Sequence, residues 1–319
     1  MKFGLLLPHF GSHMDTARLL DGVAEAHRLG FNSVWVRDHI VYEPHDFEDP
    51  DPTWLDPFVV LAAIAGRTPG MTLGTATLIP HRHPIATAQI LASLAAFVGP
   101  DQVILAWGRG NDDREFEAVE TEVRKRGEML EEQIEIIRRL WAGDPIDHHG
   151  RFYNFDRVRV SSPGLRGPTR HWYGGGSPRA LDRVVRKFDG WMGSRLPRSV
   201  LVQRVADLRR LATEAEREAL DIGLVTLVHP DLGRGAGRLD VDRLVRDTAR
   251  RYPEKDVKTK DDLDGALIMG DANRIVEEVG AYGEAGVQHF IFDMRSQFEV
   301  WDEAMAYIGT NVLPRLPRT

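Results

Sequence analysis

The chain of 319 residues contains no cysteine. That excludes disulfides, thiolate catalysis and any metal site built on sulfur. It lacks an apolar run of transmembrane length, and its opening MKFGLLLPHFG is too short in apolar residues for a secretory leader. The expectation is a cytoplasmic protein without a membrane partner. A basic surplus is also missing: 41 Lys and Arg against 48 Asp and Glu leave a net charge of −7, with the signs interspersed. Nucleic acid is therefore not expected as a partner. No G-x-G-x-x-G follows the first apolar run, where Leu7-Pro8-His9-Phe10 stands, which weighs against a doubly wound dinucleotide-binding sheet. What is present, 42% hydrophobic and 28% charged residues, suits a sizeable core.

Short apolar runs at 3–7, 33–36, 72–77, 103–107, 171–173, 190–193, 222–228 and 287–292 read as strands. Helical periodicity follows each, at 15–29, 57–65, 84–98, 123–141, 178 onward, 197–219, 272–284 and 300–313. Strict alternation predicts an α/β protein with a parallel sheet, and eight units close it into a (β/α)8 TIM barrel. The strands are apolar without alternation, as expected when both faces are covered. Two interruptions, 143–169 after the fourth strand unit and 229–267 after the seventh strand, are expected as insertions in a single domain spanning 1–319. Both are long enough to be lids or binding loops. The helices at 58–65 and 85–98 are apolar on nearly every face, which predicts a homodimer built on them.

The stretch Tyr173-Gly174-Gly175-Gly176-Ser177-Pro178 runs from a strand into a helix. Glycines let backbone approach a bound group, Ser177 is a good N-cap, and Pro178 fits the first helical position. Such a turn is either an ordinary strand-to-helix connection or an anion cradle at a helix N-terminus. Barrel chemistry belongs at the C-terminal ends of the strands. Reading those ends gives His39 as acid/base candidate with Asp38 beside it, and Arg109, between two glycines, as a phosphate or carboxylate clamp. His81-Arg82-His83 invites a zinc reading, but Pro84 makes it look like a turn into a helix. His148-His149 reads as a solvated hairpin. Arg209-Arg210 and Arg250-Arg251 read as wet helix faces.

These residues resemble the bacterial luciferase-like oxidoreductases, barrel enzymes that use FMN or the deazaflavin coenzyme F420. The resemblance is carried by Gly30-Phe31-Asn32-Ser33-Val34-Trp35-Val36-Arg37-Asp38-His39, by Leu73-Gly74-Thr75-Ala76-Thr77, and by His149-Gly150-Arg151-Phe152-Tyr153. Gly175-Gly176-Ser177-Pro178 with Asp189-Gly190-Trp191, and the run from Gly286 to Asp293, add to it. It implies catalytic His39 and Asp38, a cofactor phosphate at Gly174, Gly175, Gly176 and Ser177, and a ring supported at Ala76 and Thr77 by a non-prolyl cis peptide. Asn111 stands where the sugar-phosphate dehydrogenases of the family carry an acid, so that substrate is not expected. Arg109 resembles the phosphate-contacting arginine of the luciferases and points to FMN. Asp38-His39 points to F420, which the balance favours. The implied activity is hydride transfer with F420, or oxygenation with FMN and a separate flavin reductase as partner, on a small organic molecule. Two other readings of the residues remain at this point. One is a metal-dependent barrel hydrolase using His9, His81 and His83 with Asp293; the other is a non-catalytic flavin-binding barrel.

Overall fold

The computed structural model describes residues 1–41, 50–160, 167–168, 170–233 and 239–318. Its strands are β1 (Lys2–Leu6), β2 (Ser33–Val36), β3 (Thr72–Leu78), β4 (Val103–Trp107), β5 (Ile146–His149), β6 (Asn154–Val158), β7 (Arg170–Gly174), β8 (Gly190–Ser194), β9 (Asp221–Pro230), β10 (Leu267–Gly270) and β11 (His289–Asp293). The helices are α1 (Thr16–Arg28), α2 (Pro57–Arg67), α3 (Pro84–Val98), α4 (Asp113–Ala118), α5 (Arg126–Trp141), α6 (Pro178–Lys187), α7 (Arg198–Glu214), α8 (Val241–Arg251), α9 (Ala272–Glu284) and α10 (Trp301–Tyr307). Strands β11-β1-β2-β3-β4-β7-β8-β9 pair in parallel, and the β9–β11 and β8–β9 ladders close the ring. The expected eight-stranded barrel is the observed fold.

Two tryptophans explain how the barrel interior fills. Trp35 of β2 and Trp172 of β7 are fully buried and stack with centroids 5.5 Å apart. Other strands make room with glycine: a Cβ on Gly74 would lie 2.3 Å from the Trp35 ring, and one on Gly223 2.5 Å from Trp172. Leu6, Ile104, Met192, Val225 and Ile291 complete this inner core. Between strands and helices lies a larger outer core, including Leu5, Val34, Leu73 and Leu105. Both faces of the strands are thus dry, which is why their sequences do not alternate.

The helix starts follow local chemistry. Asp15, Asp56, Ser177, Asp240 and Asp271 each cap a helix, their side chains accepting from a first-turn N–H. The C-terminal segment expected as one helix is instead broken into a 3₁₀ segment (Arg295–Val300), α10 and a π turn (Ile308–Val312).

The two insertions are built differently. The first holds the β5–β6 hairpin, and Glu132 of α5 clasps it: the carboxylate accepts from the N–H groups of Phe152 and Tyr153 and contacts His148 at 3.0 Å. The hairpin, expected as a lid over the barrel mouth, is fastened to α5 instead. The second insertion carries secondary structure of its own among its described residues. It contributes α8 and β10, the latter pairing with the far half of β9 at Leu227–Pro230, beyond the reach of β8. Leu244, Val245, Val257, Leu263 and Leu267 give it a small core of its own. Among the described residues no helix is long and apolar enough to cross a membrane.

Candidate active site

A cavity of about 1260 Å³ opens at the C-terminal ends of the barrel strands. It exceeds the usual range of about 300–1,000 Å³ for a single small ligand. Its walls include Asp38 and His39 after β2, Ala76 and Thr77 of β3, Arg109 after β4, and Gly174, Gly175 and Gly176 after β7. The structure therefore brings all but one of the expected site residues to one cavity. The exception is Ser177, which caps α6; its hydroxyl accepts from the Ala180 N–H at 3.2 Å.

The β3 wall carries a cis peptide between Ala76 and Thr77, where expected. The β3–β4 register shifts between Ala76 and Leu78 at this point. Gly108 lets Thr77 approach, since a Cβ there would lie 2.2 Å from the Thr77 hydroxyl oxygen. At the cradle, Gly175 has φ +125°, a conformation open to glycine. A Cβ on Gly176 would meet nothing closer than Arg204 Nε at 3.7 Å. Arg109 is exposed at the lip.

His39 sits between two groups of opposite charge. Arg37 Nη2 lies 3.1 Å from its Nε2, and Glu115 Oε1 lies 3.1 Å from its Nδ1. A guanidinium is always a donor, so Nε2 accepts and Nδ1–H donates to the Glu115 carboxylate. Trp54 meets the imidazole edge-on at 4.8 Å. Arg37 packs over Phe10 with its guanidinium carbon 5.1 Å from the ring centroid. The histidine is thus fixed in one orientation by an arginine, a carboxylate and an aromatic face.

Asp38, expected beside His39 in the site, lines the same cavity but makes its own contacts. Its carboxylate accepts from Arg82 Nη1 at 2.7 Å and from the Ile79 N–H at 3.0 Å. Burial pushes its pKa up to about 6, against the pull of Arg82 and the backbone donor. Asp38 ties β2 to the β3 turn, while the carboxylate on His39 belongs to α4. Glu115 was not legible as a site residue, because α4 lies inside the stretch between the fourth strand and the long helix. The available signal was Asp112, an N-cap followed by first-turn acids Asp113 and Glu115. Glu115 is 1% exposed, and desolvation raises its pKa although the Ile40 N–H and His81 pull it down. His81 Nε2 stands 3.7 Å from its other oxygen.

The residues of the hydrolase reading do not assemble. His9 is buried with its ring nitrogens beside the carbonyls of Leu7 and Arg37, donating to one of them as a neutral imidazole, His83 caps α3 through its Nδ1, and Asp293 is engaged by Arg295. Among the described residues, no three His, Cys, Asp or Glu side chains gather in a metal-binding arrangement. Arg250 and Arg251 are exposed, in keeping with the wet helix face read from sequence, and they also line the cavity from α8, so the second insertion reaches its rim.

Comparison with known proteins agrees with this fold. An F420-dependent hydroxymycolic acid dehydrogenase of Mycobacterium tuberculosis is 29% identical over 194 residues, 59% of this chain and 51% of that protein. The match thus spans about half the length of that relative. An F420-dependent glucose-6-phosphate dehydrogenase of Nakamurella multipartita is 24% identical over 328 residues, covering 94% of this chain and 92% of the relative. The solved structure of an F420-dependent secondary alcohol dehydrogenase with an F420–acetone adduct superposes with a TM-score of 0.76 at 19% identity, covering 99% of each chain. The family model described as luciferase-like monooxygenase matches residues 1–289. The chain belongs to the luciferase-like monooxygenase family.

Proposed function

We propose that this protein is an F420-dependent oxidoreductase in which the whole chain acts as one catalytic unit and His39, backed by Glu115, moves the substrate proton. The observation that carries the reading is the pairing, in one large cavity, of a glycine cradle with a polarised histidine–carboxylate pair. The residues fit the cofactor. Gly174, Gly175 and Gly176 leave room for a phosphate ahead of α6, and the peptide of Ala76 and Thr77 offers a small, flat support. When bound, the deazaflavin supplies a two-electron hydride acceptor or donor.

The chain's own part is orientation and proton movement. With Nδ1–H held by Glu115, His39 has its basic lone pair at Nε2. A substrate hydroxyl that donates there competes with Arg37 for that lone pair. As Nε2 takes the proton, the Glu115 carboxylate stabilises the imidazolium through the bond it already makes. Asp38 acts one layer back, holding Arg82 and the turn at Ile79 on which the β3 wall ends.

The reading is tested by titrating purified protein with F420 and, separately, with FMN, following fluorescence quenching. Binding of F420 at micromolar concentration or tighter, with FMN weaker, is expected. FMN alone binding tightly moves the protein to the oxygenating branch, with a flavin reductase as partner. Gly176→Asp sharpens the test: its Cβ would meet nothing closer than Arg204 Nε at 3.7 Å, and its carboxylate places bulk and charge in the cradle. Its F420 affinity is expected to fall at least about tenfold, worth about 1.4 kcal/mol.

The same reading makes the enzyme a cytoplasmic homodimer. Val59 of α2 and Phe97 of α3 are 68% and 74% exposed, and Ile90 lies on the same exposed side of α3. Large exposed apolar side chains on adjacent helices favour a second copy as cover. Light scattering is expected to give twice the chain mass, and Phe97→Glu to shift it toward one.

A further inference from the structure

A further cavity lies at the N-terminal ends of the barrel strands, opposite the mouth. Lys2, Ser33, Thr72, Arg170 and His289, the first residues of β1, β2, β3, β7 and β11, line a space of about 170 Å³. A water takes up about 30 Å³ in the liquid, so the space suits several waters or one small ion. The interior tryptophans roof it. Trp172 meets the His289 ring edge-on with centroids 4.8 Å apart, and Trp35 Nε1 donates to the Ser33 hydroxyl oxygen at 2.8 Å. Proton movement at His39 makes no use of this end of the barrel.

The lining is chemically one-sided, because its neutral acceptors are already engaged. The Asn32 side-chain oxygen accepts from the Phe3 N–H at 2.9 Å, and the Gln102 oxygen from the Thr72 hydroxyl at 3.0 Å. What these side chains still offer is the amide nitrogens of Asn32 and Gln102 and the hydroxyl proton of Ser33, all donors. Lys2 and Arg170 add two cations that make no ion pair among the described residues. The one carboxylate on the lining, Asp101, is exposed and has a contact of its own.

His289 is the second observation. It is 5% exposed, and its Nδ1 is buried with no partner in the protein. Desolvation, with repulsion from Lys2, Arg170 and the amino terminus, pushes its pKa down to about 3, so the ring is neutral and keeps one N–H. A buried ring nitrogen without a partner is costly unless a guest supplies one. Water would both donate and accept. An oxyanion only accepts, and it answers the cations and the neutral donors together.

We propose that the N-terminal end of the barrel binds a small inorganic oxyanion of the phosphate or sulfate class, held by Lys2 and Arg170 with the His289 ring donating to it. The site is separate from the mouth and does not rest on the oxidoreductase reading. Its ligand would join β7 to the β1–β11 pair across the barrel, strands that share no ladder with β7. An anion bound only by the folded chain stabilises it.

The test is calorimetric titration of sulfate into the wild-type protein and into Arg170→Gln, with chloride at matched ionic strength as the blank. Sulfate bound at the mouth is common to both proteins, so their difference reads this site. Saturable binding is expected in the wild type, weakened about tenfold to a hundredfold in Arg170→Gln. Without sulfate the variant is expected to melt no lower than the wild type, since it relieves crowding of like charge; with sulfate the wild type is expected to melt higher. Lys2→Gln is expected to weaken binding in the same direction and carries the test if Arg170→Gln does not fold. Equal sulfate affinity in wild type and variant overturns the proposal, as does the absence of saturable binding. Crystals soaked in selenate locate the ion: anomalous signal between Arg170 and His289 supports the site. Signal confined to the mouth or to lattice contacts, an adventitious ion only, overturns it.

Discussion

The molecule contains two histidine–glutamate pairs of nearly the same geometry. His39 Nδ1 meets Glu115 at 3.1 Å in the barrel mouth, and His148 Nε2 meets Glu132 at 3.0 Å under the β5–β6 hairpin. Each carboxylate also accepts from backbone N–H groups. Yet the pKa values of the two glutamates move in opposite directions. At Glu115 desolvation prevails and raises the pKa, whereas at Glu132 the burial effect is overcome by His148 and the N–H groups of Tyr153 and Phe152, which lower it. Both imidazoles have an arginine on the other nitrogen, Arg37 3.1 Å from His39 Nε2 and Arg139 3.3 Å from His148 Nδ1; the difference lies in the setting, since His39 lines the large cavity while His148 is stacked by Phe155 under the hairpin. A buried carboxylate with few donors is poised to exchange charge with its histidine; one saturated with donors is a clasp. Pairing alone does not mark a catalytic residue, and the surroundings of the pair decide its role.

The largest expected effect separates the pairs by activity. His39→Ala is expected to lower turnover about 10²–10⁴-fold while F420 affinity stays within about twofold; turnover like that of the wild type would remove His39 from the mechanism. His148→Ala is expected to leave turnover unchanged. Next in size is Glu115→Gln, which keeps the shape of the side chain and removes the charge that stabilises the imidazolium. A loss of about tenfold to a hundredfold in kcat is expected, again with cofactor binding intact. Should kcat hold while thermal stability falls, Glu115 is a structural acid and the contrast collapses.

The hairpin pair is read by stability instead. Glu132→Gln loses a charged acceptor for several N–H groups, and a cost of about 1–3 kcal/mol in denaturant unfolding is expected, with kcat unaltered. The sign of its pH dependence follows from the lowered pKa. Glu132 binds fewer protons in the folded than in the unfolded chain, so its contribution is complete above the ordinary glutamate value of 4.5 and is lost as pH falls through the lowered one. The stability gap between wild type and Glu132→Gln is therefore expected to close in acid. A gap constant from neutral to acid pH would show that the carboxylate charge plays no part in the clasp.

The same contrast explains what could be read from sequence. The barrel was legible because the strand runs are largely apolar and several helices have a side-chain cap at their start. The cradle was legible because three glycines stand directly before Ser177-Pro178, and His39 because it ends a strand. Glu115 was not, because its role depends on α4 folding back over His39, 76 positions away in the chain, and no local spacing encodes that. Asp38 was legible as a cavity residue beside His39, but not its own contacts, because consecutive residues of extended chain point to opposite sides. Here Asp38 reaches Arg82 and Ile79. The helix α8 was hidden by composition, since only Leu244, Val245 and Thr248 are buried among its charged residues. Its exposed arginines also line the cavity rim, which no periodicity argument distinguishes from an ordinary wet face.

The most direct test of the account is the pH profile of kcat/KM for F420 reduction, using the first alcohol found to be turned over. Wild type, Glu115→Gln and Glu132→Gln would be compared. The wild-type profile is expected to fall on its acid side at a pH above the ordinary glutamate value, because desolvation raises Glu115 and protonating it removes the support of the imidazolium. The Glu132→Gln profile should coincide with that of the wild type, and the Glu115→Gln profile should lose the glutamate limb. An acid limb that persists unchanged in Glu115→Gln would contradict the assignment of His39 and Glu115 as the working pair.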